Sequence, residues 1–490
     1  MPKKLRSRYR FLLCLFLLFT SGLSAQLVTT DYKNVKLSSF LDSLTNKSDI
    51  NIAYDVNAIP IDSILNVNFY EKHPLEIVKS ILKNCQVKIL FLNDQIIISE
   101  RVITQNKHIK ISGFVYDYND RQALPLVNIS IQNQPLGTIT NSQGGFEFKI
   151  PEIYTDSTLV FSFLGYHSSF MLISASDSVL NIALEPTTVN LDEVEVTYKN
   201  ADEIINLLNN NYEQNYWDQQ ALLSGFFRES IRQDGVFVQV SEAIVEIIKP
   251  SYLNPSDMER VRFIKGRKKN DLQSMDLVNF KLEGGPFQFS RVDIARYHDF
   301  FPKENSPYKY VYDGIDVLNE EIVYKVKFRP LDDNGDLLYA GVLFVHSESF
   351  ALVRAEFALT KRALKMSGRT LIRKASRTLK VRPLQARYYI DYRFFNGRWI
   401  LNRLDGEIVI RINDKKSKVN SEFTAITELL ISDWEVNEKV KLRSSELYKS
   451  RYVLADQIIE TDQEYWEDYN IIRPDEELEN VFKKTKVVSK

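Results

Sequence analysis

The feature that most constrains the fold is the alternation of apolar and polar residues in long segments between residues 220 and 440. The stretches "EIVYKVKFRP", "ARYYIDYRFF" and "RWILNRLDGEIVIRIN" all show it. A period of two residues places the apolar side chains on one face of an extended strand. Asn334-Gly335 and Asn396-Gly397 interrupt the alternating segments, and Asn-Gly is a dipeptide that two-residue hairpin turns favour. The pattern predicts a large antiparallel sheet.

We expect this antiparallel domain to occupy residues 200–455 and to open with an amphipathic helix in "ADEIINLLNNNYEQNY". The strand ladder, and "HSESFALVRAEFAL" in particular, resembles the curved open barrel of periplasmic lipoprotein carriers. That resemblance implies an open half-barrel whose apolar concave face takes an acyl chain. A sheet packed on its own helices and a small closed barrel are the alternatives. Charges on both faces of several strands favour a domain outside the membrane.

Residues 1–25 have the organisation of a secretory signal peptide. A basic head precedes the apolar run "FLLCLFLLF", and small residues lead to Ala25. The run is too short for a membrane-spanning helix. We therefore expect export to the periplasm or to the periphery of the outer membrane. Once this segment is removed, Cys85 is the only cysteine, so it forms no intramolecular disulfide and is expected to be a small buried apolar residue.

Residues 27–100 are predicted to form a small α+β module of helix, two strands, helix and a hairpin that turns at Asn93-Asp94. The predicted helices are "VKLSSFLDSLTNKS" and "HPLEIVKSILKN". This order resembles the secretin/TonB N-terminal (STN) domain, a periplasmic module of secretins and outer-membrane transducers. His73 and Glu76 have the H-x-x-E spacing of a zinc ligand pair, but they lie where a helix begins, with Pro74 at its first position. We interpret them as a helix start.

Residues 108–195 contain about seven short alternating strands with Gly and Pro at the corners, which predicts a small β-sandwich. The stretches "ISGFVYD", "LPLVNISI", "GTITNSQGGFEFKIP" and "LVFSFLGY" resemble the carboxypeptidase regulatory-like domain. In zinc carboxypeptidases this sandwich accompanies the catalytic domain and does no chemistry, so the resemblance implies a folding or adhesive module. The segment Asn141–Gly145 lacks the carboxylates of a calcium loop, and we interpret it as a turn.

The segment "LDEVEVT" resembles the one that follows this sandwich in TonB-dependent outer-membrane receptors of the Bacteroidetes type. In those receptors a plug and a large barrel come next. Residues 196–490 are too few for a plug and a barrel of about 22 strands. We therefore expect a chain that resembles the N-terminal part of such receptors without the plug and the barrel.

One charged segment, the basic run, is a candidate binding surface. Nine basic residues and no acidic residue lie between Lys361 and Arg382. They are Lys361, Arg362, Lys365, Arg369, Arg373, Lys374, Arg377, Lys380 and Arg382. Such a run suits an anionic surface of lipid phosphates or acidic glycans. The alternative is a solvated face that pairs with the protein's own acids, and residues 456–490, predicted to be an acidic and then basic tail, supply ten acids between Asp456 and Glu479.

The chain carries no motif of a known enzyme class: it lacks the G-x-S-x-G, P-loop, dinucleotide and H-E-x-x-H patterns. We assign no catalytic residue, metal ligand or cofactor, and a net charge of −1 gives no sign of a nucleic-acid partner. The sequence predicts a non-catalytic binding or scaffold protein of a Gram-negative, Bacteroidetes-type cell envelope. Its expected partners are envelope proteins, outer-membrane components, a lipid or a glycan. The alternatives are an accessory or signalling component of a TonB-linked uptake system and an unrecognised hydrolase in residues 220–440.

Export predicts a defined new N-terminus. When the full chain is produced in a Gram-negative host, mass spectrometry of the periplasmic fraction should find a protein that begins at Gln26. The variant Ala25→Leu should accumulate as precursor, because the cleavage site needs a small residue at that position. A periplasmic protein that still carries residues 1–25 would contradict a cleaved signal peptide.

Overall fold

The chain forms two compact units, Met1–Gln105 and Asn106–Lys490, in a computed structural model. The structure describes residues 27–48, 50–56, 58–82, 85, 87–92, 95–100, 108–187, 200–270, 284–297, 300–302, 304–332, 339–366, 379–414, 419–436, 440–458, 466 and 469–483. The predicted signal peptide, the Asn93-Asp94 and Asn334-Gly335 turns and the "LDEVEVT" segment lie outside these residues.

The first unit is an α+β module with two small sheets. Its elements are β1 (Val28–Lys36), α1 (Leu37–Ser48), β2 (Asn51–Tyr54), β3 (Ile64–Lys72), α2 (Pro74–Ile81), β4 (Val87–Leu92) and β5 (Gln95–Glu100). β1 pairs antiparallel with β3, and the other sheet has the order β2-β5-β4. The predicted helices and strands of this segment are present. The resemblance to the STN domain stays a prediction.

Helix α2 begins as the sequence predicts. His73 is its N-cap residue, and the His73 Nδ1 atom accepts a hydrogen bond from the backbone N–H of Leu75 at 3.2 Å. Pro74 follows at the first helical position, where its missing N–H costs nothing. Glu76 lies in the first turn and forms an ion pair with Lys72 at 3.4 Å. His73 therefore closes a helix end, while half-buried Cys85 packs against the core of this unit.

Strand β1 is an element that the apolar pattern does not reveal. Its inward side chains are Val28, Thr30 and Tyr32, and two of these three carry hydroxyl groups. The Tyr32 hydroxyl lies 2.5 Å from the Ser43 hydroxyl on α1. Because Thr30 and Tyr32 carry hydroxyl groups on the inward side, a count of apolar residues does not show the period of two.

The second unit begins with a seven-strand β-sandwich, as predicted. Its strands are β6 (His108–Asp117), β7 (Asn128–Ile131), β8 (Gly137–Ile139), β9 (Gly145–Pro151), β10 (Thr158–Ser162), β11 (Ser169–Leu172) and β12 (Ser178–Leu184). They form one sheet of order β11-β10-β7-β8 and another of order β12-β6-β9. Phe146 and Phe161 meet edge to face between the two sheets, with ring centroids 5.6 Å apart.

The Asn141–Gly145 segment is a turn, as predicted. The Asn141 side-chain oxygen accepts hydrogen bonds from the backbone N–H groups of Gln143 at 3.0 Å and Gly145 at 2.8 Å. Gly144 adopts a φ of 71°, and a Cβ atom there would collide with the carbonyl oxygen of Val115. The turn therefore needs both the asparagine acceptor and the glycine backbone.

The rest of the second unit is a large sheet with helices. Its strands are β13 (Ala221–Gln233), β14 (Val236–Lys249), β15 (Arg260–Asn270), β16 (Tyr308–Leu318), β17 (Glu321–Pro330), β18 (Tyr339–His346), β19 (Leu352–Leu359), β20 (Leu379–Phe395), β21 (Arg398–Asp414) and β22 (Val419–Val436). Its helices are α3 (Ala201–Asn210), α4 (Tyr212–Asn215), α5 (Gly285–Ser290), α6 (Ile294–Tyr297), α7 (Lys361–Met366), α8 (Leu454–Gln457) and α9 (Glu476–Lys483). The mostly β, α+β fold class is thus confirmed.

The ten strands form one open antiparallel sheet of order β15-β14-β13-β22-β21-β20-β19-β18-β17-β16. Most neighbouring strands follow each other in the chain. Asn396 and Gly397, with φ angles of 47° and 77°, make the predicted two-residue turn between β20 and β21. The pairing of β13 with β22 is different, since it joins Ala221 to Val436 and Gln233 to Phe423 across some 200 residues of chain.

One side of this sheet, which we call the helix face, is covered by helices. It presents Phe227, Ile390 and Leu429, which belong to one buried cluster with residues from α3, α4, α5 and α6. Ile204 and Leu208 of α3 are fully buried there. In the described part of the chain, the apolar surface of the sheet is therefore packed on the protein's own helices. The sequence allowed either this arrangement or an open half-barrel that binds an acyl chain.

A buried ionic cluster locks α6 to the helix face. Lys249 Nζ lies 2.9 Å from a carboxylate oxygen of Glu259 and 2.7 Å from one of Asp293. The hydroxyls of Tyr252 and Tyr392 also donate to Asp293, at 2.8 and 2.6 Å. Arg296 Nη1 lies 3.5 Å from Glu259 and supplies the second positive charge, so the two buried carboxylates are balanced by two cations.

Glu229, on the helix face of β13, is a buried carboxyl group without a basic partner among the described residues. Its Oε1 atom accepts a long hydrogen bond of 3.4 Å from Gln239, and its Oε2 atom has no hydrogen bond in that part of the chain. Burial raises the pKa of Glu229 to about 8. The group therefore favours the protonated state in the folded protein at neutral pH.

Glu229 should make stability depend on pH. Because its pKa is raised on folding, its contribution to stability is complete below about pH 4.5 and is lost as pH rises through about 8. Between these limits the free energy of unfolding of the wild type should fall by roughly 3–5 kcal/mol, and Glu229→Gln should not show this fall. Urea unfolding at a series of pH values measures the difference between variant and wild type. The exposed control Glu213→Gln should keep the wild-type profile, and an identical profile for Glu229→Gln would refute this account.

Candidate functional site

The β-sandwich packs on the opposite side of the large sheet, which we call the sandwich face. Phe226 and Leu430 of the sheet form an apolar cluster with Ile139 of the sandwich and with Trp466 and Ile472. Strand β8 makes most of this contact, against β22. Gly137 at the start of β8 allows the close approach, because a Cβ atom there would collide with the Arg393 guanidinium. Arg393 donates a hydrogen bond to the carbonyl oxygen of Pro135 beside it.

A C-terminal segment, residues 466 and 469–483, fastens the sandwich to the sheet. The Asn470 side chain accepts from the backbone N–H of Lys149 at 2.8 Å and donates to its carbonyl at 3.0 Å. The Asn141 amide donates to the Pro474 carbonyl at 3.2 Å, and the Ser142 hydroxyl donates to Asp475 at 2.8 Å. The turn that the sequence singles out thus holds the protein's own C-terminal segment.

The sandwich leaves an open cavity of about 690 Å³ against the sandwich face, which we call the cleft. A volume of this size is typical of small-molecule sites. The cleft is lined by Leu126 and Phe163 of the sandwich and by Ala340, Val342, Arg354, Glu356, Phe357, Ala358, Arg387, Tyr388, Tyr389, Arg403, Asp405, Gly406, Glu407, Ile426 and Glu428 of the sheet.

The strand register explains why so many charges meet in the cleft. Glu356 pairs with Tyr389, Tyr389 with Asp405 and Asp405 with Glu428, so one row crosses four strands. Arg354 lies in the adjacent row, in register with Asp391 and through it with Arg403. Side chains opposite each other in such rows are within contact distance.

At the base of the cleft, the Tyr389 ring contacts two guanidinium groups. The Cζ atoms of Arg354 and Arg403 are 5.0 and 4.9 Å from the centre of its ring. Arg354 is held by Asp391, 3.2 Å away, while Arg403 contacts Asp405. Both distances lie within the range of cation–π contacts, which hold the tyrosine ring in place.

Several polar atoms at the base of the cleft have no hydrogen-bond partner among the described residues. They are Nε and Nη1 of Arg403, the Tyr389 hydroxyl and Oδ1 of Asp405, whose Oδ2 contacts Arg403. Arg403 is almost fully buried, with a side-chain exposure of 4%. Burial lowers the pKa of Arg403 and raises that of Tyr389. Unpaired polar atoms are rare in a protein interior and costly there, so their concentration in one cavity indicates a ligand site.

Toward the mouth of the cleft the charges are paired. Arg387 lies 2.8 Å from Glu407, and Arg228 lies 3.2 Å from Glu428. Arg228 is fixed further by Glu242 at 2.7 Å and by the Ile472 carbonyl at 2.6 Å. Burial opposes the charge on Arg228, but these carboxylates outweigh it and raise the pKa of the group. Arg228 thus connects the cleft to the C-terminal segment.

The structure places part of the basic run away from the cleft lining. Lys361, Arg362 and Lys365 are exposed on α7, and Lys380 and Arg382 are exposed on β20. The other four members, Arg369, Arg373, Lys374 and Arg377, lie outside the described residues. Binding of an anionic surface by this run stays a prediction.

The acidic segment makes other contacts where the structure describes it. Asp475 meets Ser142, Glu477 lies 2.9 Å from Arg232, and Glu479 lies 2.9 Å from Lys483. The contacts of the segment therefore run largely to the sandwich turn and to β13 rather than to the described residues of the basic run. Residues 469–483, which the sequence placed in a tail, pack against the second unit.

Sequence reasoning missed the residues of the cleft. Arg387, Tyr389 and Asp391 alternate along "ARYYIDYRFF" as an outer, solvated face would. What distinguishes them is that a separate domain covers part of this face, and no local pattern shows that contact. The one available signal is the concentration of Arg and Tyr on the polar face of adjacent strands.

The sandwich matches a known family. Residues 111–196 match the model of the CarboxypepD_reg-like domain, which agrees with the resemblance seen in the sequence. A search of curated proteins finds no match to the chain.

Two solved structures are similar to about half of the chain. One is an outer-membrane lipoprotein-sorting protein domain from Vibrio parahaemolyticus, with 11% identity, a TM-score of 0.26, and coverage of 49% of this chain and 95% of that one. The other is a DUF1329 family protein from Desulfovibrio piger, with 11% identity, a TM-score of 0.23, and coverage of 51% and 97%. Both TM-scores are too low to establish a shared fold.

The described residues contain neither a metal-binding cluster nor a membrane-spanning helix. No group of three or more His, Cys, Asp or Glu side chains among them is arranged to hold a metal ion. None of the helices in the same residues is both long and apolar enough to cross a membrane.

Substitution of two tyrosines on β20 tests whether the polar groups at the base of the cleft serve a ligand rather than stability. Tyr389→Phe should change the free energy of unfolding by less than about 1 kcal/mol, because its hydroxyl has no hydrogen-bond partner among the described residues. Tyr392→Phe should cost about 1–3 kcal/mol, because its hydroxyl donates to buried Asp293 and accepts from the Ala295 N–H. Urea denaturation measures both. A loss at Tyr389 as large as that at Tyr392 would mean that the Tyr389 hydroxyl has a structural role.

Proposed function

We propose that the protein is an exported, non-catalytic binding protein of the bacterial cell envelope, and that the cleft is its ligand site. The observation that carries this proposal is the set of unpaired polar atoms on Tyr389, Arg403 and Asp405 inside a cavity of about 690 Å³. A ligand that supplies the missing hydrogen bonds would gain most of their value, since the protein has already desolvated these groups. The regulatory-like sandwich supplies one wall of the site.

The charges of the cleft support binding more than hydrolysis. A hydrolase with two carboxyl groups needs one of them protonated to act as a general acid. Three of the four carboxylates that line the cleft, Asp405, Glu407 and Glu428, each contact an arginine, which leaves only Glu356 without an ion pair among the described residues. A carboxylate held in an ion pair is not available to donate a proton, so the unrecognised hydrolase is the weaker alternative.

The packing of helices on the helix face argues against an acyl chain as the ligand and favours a polar ligand in the cleft. In the described residues the apolar side of the sheet is occupied by α3, α4, α5 and α6, whose side chains share its core. An acyl chain would have to displace buried residues such as Ile204 and Leu208. The cleft, by contrast, is open and already lined with polar groups.

The location in the envelope rests on the sequence. The signal-peptide pattern of residues 1–25 supports export, and the STN-like and regulatory-like modules are types found on envelope proteins. The expected partners are therefore envelope components. A role beside a TonB-linked uptake system gains no specific support from the described contacts.

The proposed site can be tested by filling it. A small-molecule extract of a Gram-negative periplasm should raise the melting temperature of the wild-type protein by several degrees, since a ligand that binds only the folded state stabilises it. Ala358→Phe places a ring in the cleft and should abolish the shift. The control Val179→Phe adds the same ring at a 74% exposed position of the sandwich and should keep it.

Three outcomes would count against this function. An extract that stabilises neither protein, or that stabilises Ala358→Phe as much as wild type, would show that the cleft is not the site. Consumption of an extract component during incubation, followed by mass spectrometry, would show catalysis. The unliganded melting temperature of Ala358→Phe checks that this variant is folded.

A further inference from the structure

We propose that the ligand of the cleft is an uncharged saccharide. The inference rests on the proposed function and names the chemical class of the ligand at that same site. It follows from how charge, hydrogen-bonding atoms and apolar surface are distributed in the cleft.

The ion pairs of the cleft disfavour a charged ligand. Arg354, Arg387 and Arg403 each have a carboxylate partner, namely Asp391, Glu407 and Asp405. An anionic group that approached any of these guanidinium groups would meet the adjacent carboxylate, and a cationic group would meet the adjacent arginine. Glu356 is the exception in the lining, because no ion pair is described for it among these residues. The paired groups therefore disfavour an anion more strongly than a cation, and trilysine is the more demanding of the two charged competitors.

The unpaired atoms at the base of the cleft are complementary to hydroxyl groups. Arg403 offers free N–H donors, Asp405 offers its Oδ1 as an acceptor, and the Tyr389 hydroxyl can donate and accept. Each hydroxyl of a sugar both donates and accepts, so one hydroxyl can bridge a guanidinium N–H and the carboxylate of the same ion pair. Neighbouring hydroxyls on a ring therefore match the alternation of donors and acceptors along the strand rows.

The sandwich provides the apolar part of a sugar site. Leu126 and Phe163 line the cleft opposite the charged rows. Leu126 has a φ of 67° and is held by a hydrogen bond from its N–H to the Thr140 carbonyl at 3.1 Å. A saccharide has an apolar C–H face and a hydroxyl edge. The C–H face would lie against the sandwich, and the hydroxyl edge would lie on the sheet.

Calorimetric titration of the full exported chain tests the ligand class. The probes are three uncharged trisaccharides, namely maltotriose, mannotriose and fully N-acetylated chitotriose, and two charged peptides, triglutamate and trilysine. At least one trisaccharide should bind, and it should bind more tightly than both peptides. Arg387→Gln, at the mouth, should weaken that trisaccharide about tenfold, because the variant loses a charged donor to the sugar.

The chain offers a matched control for Arg387→Gln. Arg411 forms the same kind of cross-strand pair with Glu422, at 2.9 Å, with a side-chain exposure of 53% against 60% for Arg387. It is not part of the cleft lining. Arg411→Gln should therefore bind the trisaccharide like wild type. Both positions are exposed, so both variants are expected to fold.

The outcomes separate this inference from the proposed function. If no trisaccharide binds, or if a charged peptide binds more tightly, the ligand class is wrong. A peptide that binds in the cleft, with affinity lost in Arg387→Gln, would overturn the saccharide but leave the cleft as the site. A trisaccharide that binds equally to wild type, Arg387→Gln and Ala358→Phe would overturn both.

Discussion

The pairing of β13 with β22 is the contact on which the rest of the second unit depends. The other strand pairs of the large sheet join neighbours in the chain, whereas this one brings Ala221–Gln233 against Val419–Val436. Closing such a long loop costs entropy that only an extended, fully buried ladder recovers. Without it, the β13–β15 group and the β16–β22 meander would be two separate sheets. The row that connects Asp405 through Glu428 to Arg228 crosses this junction.

The two faces of the sheet differ in what covers their buried polar groups. On the helix face the core is filled, and Lys249 and Asp293 are matched, although Glu229 keeps an unpaired oxygen. On the sandwich face, Arg403 is equally buried but keeps unpaired donors. A fold optimised only for stability would have replaced such a group, since an unpaired buried donor is costly. On the sandwich face such atoms line an open cavity, and that is the physical reason to place function there.

Sequence patterns predicted the elements whose periodicity is carried by their own residues. The sandwich strands, the turn at Asn396-Gly397 and helix α2 with its His73 cap are all present. Strand β1 was hidden because its inward side chains include Thr30 and Tyr32. The short helices α5 and α6 are stabilised by contacts with the sheet, so no amphipathic repeat of sufficient length marks them.

Local patterns in the chain were enough to predict the mostly β fold class, the order of its modules and the regulatory-like sandwich, because strand alternation and turn residues act locally. They did not predict that the sandwich packs on the sheet, that Asn141 and Ser142 hold the C-terminal segment, or that Tyr389 and Arg403 lie in a cavity. These facts depend on contacts between residues up to 333 positions apart. A local pattern can show that a strand has a polar face, but the partner that covers this face is set by the whole chain.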